Sequence, residues 1–108
     1  MERYRVNITE PAEKDLRDIA IYISSQLQES NTALKMIETI EAKIDNLETM
    51  ALAYPLVRDD YLAAQGYRFM PVKNYLVFYI VFEKEKAVDI DRILYSRRDW
   101  KSIISAFI

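Results

Sequence analysis

The sequence contains no cysteine and no histidine. Without cysteine there can be no disulfide framework, no thiolate metal site and no cysteine nucleophile. Without histidine the chain lacks the usual acid–base group at neutral pH and the commonest metal ligand. We therefore expect neither a metal nor another cofactor, and any catalysis would have to use carboxylate, amine, guanidinium or hydroxyl groups.

Glycine and long apolar runs are also nearly absent. The chain has one glycine and three prolines, which leaves no room for a flexible linker. No run approaches the roughly 20 apolar residues of a membrane span, and the charged start MERYRVNITE has no apolar signal segment. We expect one domain over residues 1–108, located in the cytoplasm and without membrane contact.

The chain also lacks an excess of positive charge, since its net charge is −2. Residues 1–54 hold six basic and ten acidic residues, whereas residues 55–108 hold nine basic and seven acidic ones. A protein that grips a long nucleic acid usually has a strong basic excess. Any contact with a polyanion should therefore be local, in the basic stretch from Arg92 to Lys101.

Apolar residues at spacings of three and four predict two helices in the first half. Thr9 can cap the first helix, which should run over about residues 11–28, with Pro11 in its first turn. After a polar break, Ser30 or Asn31 can cap a second helix, which should end at Tyr54-Pro55. The short break predicts that the two helices pack as an antiparallel hairpin.

The remaining segments have the two-residue period of strands or no period at all. Residues 3–8 alternate as a half-buried strand does, 56–65 indicate a loop, and 66–72 are rich in strand formers. The apolar run 75–82 predicts a central strand buried on both faces. A last strand over 87–95 should place Val88, Ile90, Arg92 and Leu94 on one face and Asp89, Asp91, Ile93 and Tyr95 on the other, and a short helix should begin near Asp99. The prediction is an α+β fold, with an N-terminal strand and a two-helix hairpin packed on one face of an antiparallel sheet.

Basic residues of the second half each have two interpretations. Arg97 and Arg98 can bind a phosphate or carboxylate in a bidentate manner, or they can bridge Asp99. A half-buried Arg92 needs an acidic partner, so a structural ion pair is favoured over a target contact. The same two interpretations apply to Arg68.

Tyrosines and acids of the chain point mostly to structure. Tyr67, Tyr75 and Tyr79 lie in predicted strands, where aromatic residues pack well. Tyr95 stands beside the arginine pair, and it would act as an acid–base group only if those cations lowered its pKa. Asp89 and Asp91 are interpreted as solvated charges at the sheet edge, and the helix acids Glu13, Asp15 and Asp18 as a solvated helix face.

Four stretches, in this order and spacing, resemble the RelE/ParE superfamily of toxins from type II toxin–antitoxin systems. They are RVNITEPAEKDLRDIAIYI at the start, YPLVR at 54–58, GYRFMPVKNYLVFYIV at 66–81 and VDIDRILYSRRDW at 88–100. The resemblance implies a growth-inhibiting toxin that a cognate antitoxin neutralises. It also implies that the antitoxin covers the apolar C-terminal surface formed by Trp100, Ile103, Ile104 and Phe107.

The superfamily has two activities, and the resemblance implies one of them. RelE-like members are ribosome-dependent mRNA endoribonucleases that work without a metal and use cations on the central strands, whereas ParE-like members act on DNA gyrase. Arg68 and Arg98 match basic positions of the ribonucleases, but Met70 and Tyr75 stand at two others. The C-terminal tyrosine position falls near Ile103 and Ile104. The pattern is therefore closer to ParE-like, plasmid-stabilising toxins.

Three functions follow from these matches as alternatives. In the first, the chain binds gyrase, and the predicted target-binding residues are Arg68, Lys73, Arg92, Arg97 and Arg98. In the second, it is a ribonuclease that uses Arg68, Arg98 and Tyr95. In the third, it is a non-toxic domain that only binds a partner, which the acidic balance of the chain favours.

Overall fold

The computed structural model describes residues 2–26, 28 and 30–106. Helices and strands follow one another in nearly the predicted order. They are β1 (Arg5–Ile8), α1 (Glu10–Gln26), α2 (Ser30–Met50), α3 (Asp60–Ala64), β2 (Tyr67–Val72), β3 (Tyr75–Phe82), β4 (Ala87–Tyr95) and α4 (Trp100–Ser105).

The strands form a four-stranded sheet in the order β1-β4-β3-β2. β2, β3 and β4 are antiparallel neighbours joined by two hairpins, as predicted. β1 instead runs parallel to β4, so the sheet is mixed and not antiparallel throughout. Parallel neighbours need a long crossover connection, and here everything between β1 and β4 supplies it. The alternating pattern of residues 3–8 predicts a strand but carries no information on the direction of its neighbour.

One face of the sheet is covered by the hairpin of α1 and α2, which confirms the predicted layer arrangement. Both helices end a little earlier than predicted: α1 ends at Gln26, with Leu27 outside the described residues, and α2 ends at Met50. The core between the hairpin and the sheet, called here the hairpin-side core, contains among others Leu16, Ile40, Ile44, Leu47, Met70, Val77, Tyr79, Val88, Ile90 and Ile93.

The opposite face is covered by α3 and α4, where the sequence predicts only α4. Residues 56–65 are therefore not simply a loop. Asp59 caps α3 by accepting a hydrogen bond from the backbone N–H of Leu62 (3.1 Å), and Leu62 is fully buried. The second core on this face contains Val57, Leu62, Tyr67, Phe78, Leu94 and Ile104. Since neighbouring residues of β3 contribute to different cores, the prediction of a central strand buried on both faces is confirmed.

A β-bulge interrupts the pairing of β3 with β4. Tyr79 lies opposite Ile90 and Phe78 lies opposite Arg92, so Asp91 is one residue more than the ladder needs. An extra residue reverses the facing of every residue that follows it. Ile93 therefore packs in the hairpin-side core and Leu94 in the second core. The predicted facing of β4 is wrong at the end of the strand, because Ile93 shares a core with Val88 and Ile90 whereas Leu94 does not.

Helices of the described residues are all too short or too polar to cross a membrane.

Candidate functional site

A cleft of about 630 Å³ opens between the helix hairpin and the ends of β3 and β4. Its wall on the helix side comes from α1 and the first turns of α2, and its wall on the sheet side comes from the β2–β3 turn, β3, β4 and the turn after β4. The lining residues are Asp15, Asp18, Ile19, Tyr22, Ile23, Thr32, Met36, Asn74, Tyr75, Ile93, Tyr95 and Arg98. We refer to this feature as the cleft.

Three tyrosines give the cleft an aromatic surface. Tyr75 and Tyr95 meet edge to face, with ring centroids 5.9 Å apart and an interplanar angle of 71°. Tyr22 stands on α1 with 57% of its surface exposed. Burial raises the pKa of Tyr75, and the neighbouring phenols of Tyr22 and Tyr95 raise it further. Tyr75 therefore stays a neutral phenol at physiological pH, which offers a partner apolar surface and a hydrogen bond but no base.

Arg98 brings a positive charge to the rim of the cleft. The backbone N–H of Arg98 donates to the carbonyl oxygen of Tyr95 (3.0 Å), which turns the chain back after β4. Asp99 does not neutralise this arginine, because its carboxylate caps α4 by accepting from the N–H and hydroxyl of Ser102. Within the described part of the chain neither Arg97 nor Arg98 forms an ion pair, and both are exposed. Of the two, only Arg98 lines the cleft.

Arg92 forms the structural ion pair that its position in the sequence favours. Its Nε lies 2.8 Å from Oδ2 of Asp15 and its Nη2 lies 2.9 Å from Oδ1, which makes a bidentate pair. The side chains of Arg92 and Asp15 are only 14% and 8% exposed. The hydrogen bonds to Asp15 raise the pKa of Arg92 further above its already high value. Because its guanidinium is bonded to Asp15 of α1, Arg92 is poorly placed to bind a target at the surface.

Asp15 is a site residue for which the sequence pattern predicts a different role. The prediction of a solvated face at Glu13, Asp15 and Asp18 is wrong for Asp15, which is the buried charged residue of the described chain. A signal was present, because Asp15 stands three residues after Ala12 and four before Ile19 and so belongs to the apolar stripe of α1. A carboxylate in such a stripe needs a cationic partner.

Arg68 and Lys73, which were also predicted to bind the target, are not among the residues that line the cleft. Arg68 is half-buried in β2 and donates to the carbonyl oxygen of Tyr54 (2.6 Å). Lys73 is exposed in the β2–β3 turn with a φ of 55°, and only its neighbour Asn74 lines the cleft. Met70, which stands where a ribonuclease of the superfamily has a cation, is fully buried in the hairpin-side core. The cleft thus brings together Tyr75, Tyr95 and Arg98, whereas Arg68 and Lys73 do not line it.

The acids of β4 are bonded, which corrects their interpretation as solvated charges. Asp89 accepts from the side-chain amide of Asn7 (3.2 Å), and Asp91 accepts from the hydroxyl of Tyr67 (2.8 Å). Burial raises the pKa of Tyr67, and the bond to Asp91 raises it further. Both acids are half-buried, so they act as structural acceptors. In the part of the chain that the structure describes, no group of three or more acids is placed to hold a metal ion.

Apolar residues of α4 pack on the sheet. Ile104 is 1% exposed in the second core, and Ile103 packs against that core while remaining half-buried. The ring centroids of Trp100 and Phe78 lie 5.1 Å apart. Phe107, also predicted for the antitoxin surface, lies outside the described residues. The assignment of these four residues to antitoxin binding stays a prediction.

Comparisons with known proteins agree with the fold and place the chain in a family. A family model described as the ParE toxin of the type II toxin–antitoxin system parDE matches residues 6–100. No curated protein sequence matches the chain significantly.

Solved structures of toxins share this fold at low sequence identity. A structure of the chromosomal ParDE system from P. aeruginosa superposes with a TM-score of 0.72 at 20% identity, covering 86% of this chain and 96% of that one. A free variant of the E. coli toxin RelE gives 0.65 at 12% identity, covering 98% and 99%. The toxin–antitoxin complex RelBE2 from Mycobacterium tuberculosis gives 0.59 at 18% identity, covering 86% and 98%.

Proposed function

The chain belongs to the ParE toxin family of type II toxin–antitoxin systems, and from this premise we propose that it inhibits growth by binding DNA gyrase. The proposed contact surface is the cleft, with Tyr22, Tyr75, Tyr95 and Arg98 as its main binding groups. A cognate antitoxin neutralises the chain. Gyrase is the target that the ParE-like pattern of basic residues implies.

The main support for this proposal is that the cations needed for RNA cleavage do not come together in the cleft. Cleavage without a metal must remove the proton of the 2′-hydroxyl, stabilise a dianionic phosphorane and protonate the leaving oxygen. Among the described residues, Arg98 is the one cation that lines the cleft. Met70 is buried, and Arg68 is bonded to Tyr54 away from the cleft. One guanidinium beside three tyrosine rings supports a binding surface more than a ribonuclease.

The composition of the cleft also favours a protein partner. Tyrosine and arginine dominate the energetic centres of protein interfaces. The helix side of the cleft contributes the apolar residues Ile19, Ile23 and Met36. Asp18 stands on the helix wall, where its charge would repel the phosphates of a nucleic acid. A protein surface with one acidic side chain directed at Arg98 would meet these features better than RNA would.

An antitoxin partner is supported by the relatives, because two of the matching structures are described as toxin–antitoxin systems or complexes. The proposed contact residues are those predicted from the sequence, namely Trp100, Ile103, Ile104 and Phe107. Trp100 and Ile103 are half-buried and partly accessible on α4. Ile104 is buried, so a partner reaches it only after α4 separates from the sheet.

The test is controlled expression of the chain in growing cells, followed by measurement of plasmid supercoiling and mapping of messenger 5′ ends. We expect altered supercoiling and messengers that stay intact on ribosomes. Purified chain should inhibit gyrase, and Arg98→Ala should weaken that inhibition at least about tenfold, as loss of a central interface arginine does. The matched control is Lys84→Ala, which removes an exposed cation from the β3–β4 turn at the far end of β4.

Two results would replace the proposal with one of its alternatives. New messenger ends at ribosomal A-site codons, abolished by Arg98→Ala or Arg68→Ala, would establish the ribonuclease. Normal growth, normal supercoiling and intact messengers during strong expression would favour the non-toxic partner-binding domain.

A further inference from the structure

The carboxylate of Asp15 holds three hydrogen-bond donors of β4. Besides the two guanidinium nitrogens of Arg92, its Oδ2 accepts the backbone N–H of Ile93 at 2.9 Å. Asp15 lies in the middle of α1 and is 7% exposed. One side chain of the helix hairpin is therefore bonded both to the backbone and to a side chain of the strand that leads to the cleft.

β4 needs this contact because β1 stops early. The pairing of β1 with β4 ends at Ile8 opposite Ile90, while β4 continues to Tyr95. Thr9 makes the last hydrogen bonds of this pairing, since its N–H and its hydroxyl both donate to the carbonyl oxygen of Ile90. Among the described residues no strand flanks this outer side of β4 beyond that point. Asp15 takes the place of a strand by accepting the N–H of Ile93.

The position of this contact is next to the β-bulge at Asp91. The bulge determines which side chains at the end of β4 face the helix hairpin. Each residue after the bulge lies on the face of the sheet opposite to the one it would occupy in a regular strand. With the bulge, Ile93 and Tyr95 lie on the side of the cleft, where Tyr95 meets Tyr75. A regular strand would place Tyr95 on the opposite face of the sheet.

We propose that Asp15 is a positioning residue that holds the bulge and so directs Tyr95, and with it the turn to Arg98, into the cleft. The functional part of this inference rests on the proposed function, because it concerns the surface that binds the target. Asp15 itself acts through β4, and its carboxylate is occupied by donors of the same chain.

The first test compares Asp15→Ala with Asp18→Ala by solution NMR. Both changes remove one carboxylate of the cleft from α1, but Asp18 is exposed and bonds only to Lys14 one turn away. In Asp15→Ala we expect loss of the nuclear Overhauser effect between the rings of Tyr75 and Tyr95, and in Asp18→Ala we expect it to persist. The contact between Phe78 and Trp100 on the other face of the sheet is the internal control for intact folding.

A second variant covers the case in which Asp15→Ala does not fold. Asp15→Leu combined with Arg92→Met removes both charges together, an exchange that proteins often tolerate without loss of stability. Here too the Tyr75–Tyr95 effect should disappear while the Phe78–Trp100 effect remains. A folded Asp15→Ala or double variant that keeps the Tyr75–Tyr95 contact would overturn the proposal.

A growth assay of the same variants separates this proposal from the proposed function. Asp15→Ala should lose growth inhibition together with the ring contact. If the unaltered chain does not inhibit growth, the proposed function fails, but the ring contact still decides the role of Asp15. If the chain inhibits growth and the folded Asp15→Ala protein inhibits it equally, the functional role of Asp15 is refuted.

Discussion

Tyr79 shows how one buried side chain joins the sheet to the end of the helix hairpin. Its hydroxyl donates to the carbonyl oxygen of Ala51, at 2.9 Å, just after α2 ends. The ring is fully buried. Burial, as the main cause, raises the pKa of Tyr79 to about 12, compared with about 10 for a free tyrosine. The folded state therefore keeps the proton in a pH range where the unfolded chain loses it.

This difference predicts a loss of stability in alkali. The contribution of Tyr79 is fully present below about pH 10 and is lost as the pH rises from about 10 to about 12. Tyr79→Phe should lower the free energy of unfolding at neutral pH by about 1–3 kcal/mol, because the carbonyl of Ala51 loses its donor. It should also make the stability fall less steeply above about pH 9. Urea unfolding at several pH values measures both effects.

The control for this prediction is Tyr61→Phe, since Tyr61 is 55% exposed. Its curve of stability against pH should match that of the unaltered chain. Tyr67 and Tyr75 also have raised pKa values, so Tyr79→Phe reduces the alkaline loss without removing it. A Tyr79→Phe protein with an unchanged slope would show that this phenol titrates alike in the folded and unfolded chains.

At the scale of elements, the packing of α4 on the sheet determines whether a partner can reach the second core. It has six residues, and its attachment depends on Ile104 in the second core and on Trp100 against Phe78. A helix this short does not persist in water without tertiary contacts. Its stability on the sheet is therefore a measure of how readily the second core can be opened.

Ile104→Ala tests that attachment. We expect a loss of about 2–5 kcal/mol in the free energy of unfolding, because a fully buried isoleucine leaves a cavity. Ser105→Ala, at the exposed end of the same helix, should change it by less than about 0.5 kcal/mol. The fluorescence of Trp100, the single tryptophan of the chain, reports on the same contact. A cost for Ile104→Ala no larger than that for Ser105→Ala would mean that α4 is not docked in solution.

At the scale of the whole molecule, the charge balance does not favour a nucleic-acid partner. The net charge is −2, and the first 54 residues carry ten acids against six bases. A long-range field of this sign does not attract nucleic acids. The chain belongs to a family of toxins from type II toxin–antitoxin systems, and the partner that we propose for it is an antitoxin.

Co-expression with the neighbouring gene product should give a stoichiometric complex that survives purification. Any partner that binds only the folded chain stabilises it, by about 4 kcal/mol when its concentration is about a thousand times the Kd. The melting temperature of the chain should therefore rise with the concentration of the cognate antitoxin and not with that of an antitoxin from another system. If no neighbouring product co-purifies or raises the melting temperature, the proposed antitoxin partner is refuted.

Much of the fold was accessible from the sequence because local periodicity records burial. The spacing of Leu16, Ile40 and Ile44 places them on helix stripes, and all three are buried between the hairpin and the sheet. The continuous apolar run of β3 predicted its central position for the same reason. From the sequence, Arg98 is predicted to bind the target, Tyr95 is named for the ribonuclease alternative and Tyr75 is assigned to strand packing. The sequence does not predict that the cleft brings these three together.

What only the tertiary structure decided depends on pairings between distant residues. The parallel alignment of β1 with β4 and the bond from Asp15 to Ile93 (78 residues apart) join distant segments, and the bulge at Asp91 depends on how β4 pairs with β3. The local sequence pattern does not reveal such pairings. A strand alternates between polar and apolar residues in the same way whatever the direction of its neighbour, and a bulge adds one residue without changing the composition of the strand. The side of the sheet on which Tyr95 lies therefore depends on the bulge and on the contact of β4 with a carboxylate on α1, and not on the alternation of β4 alone.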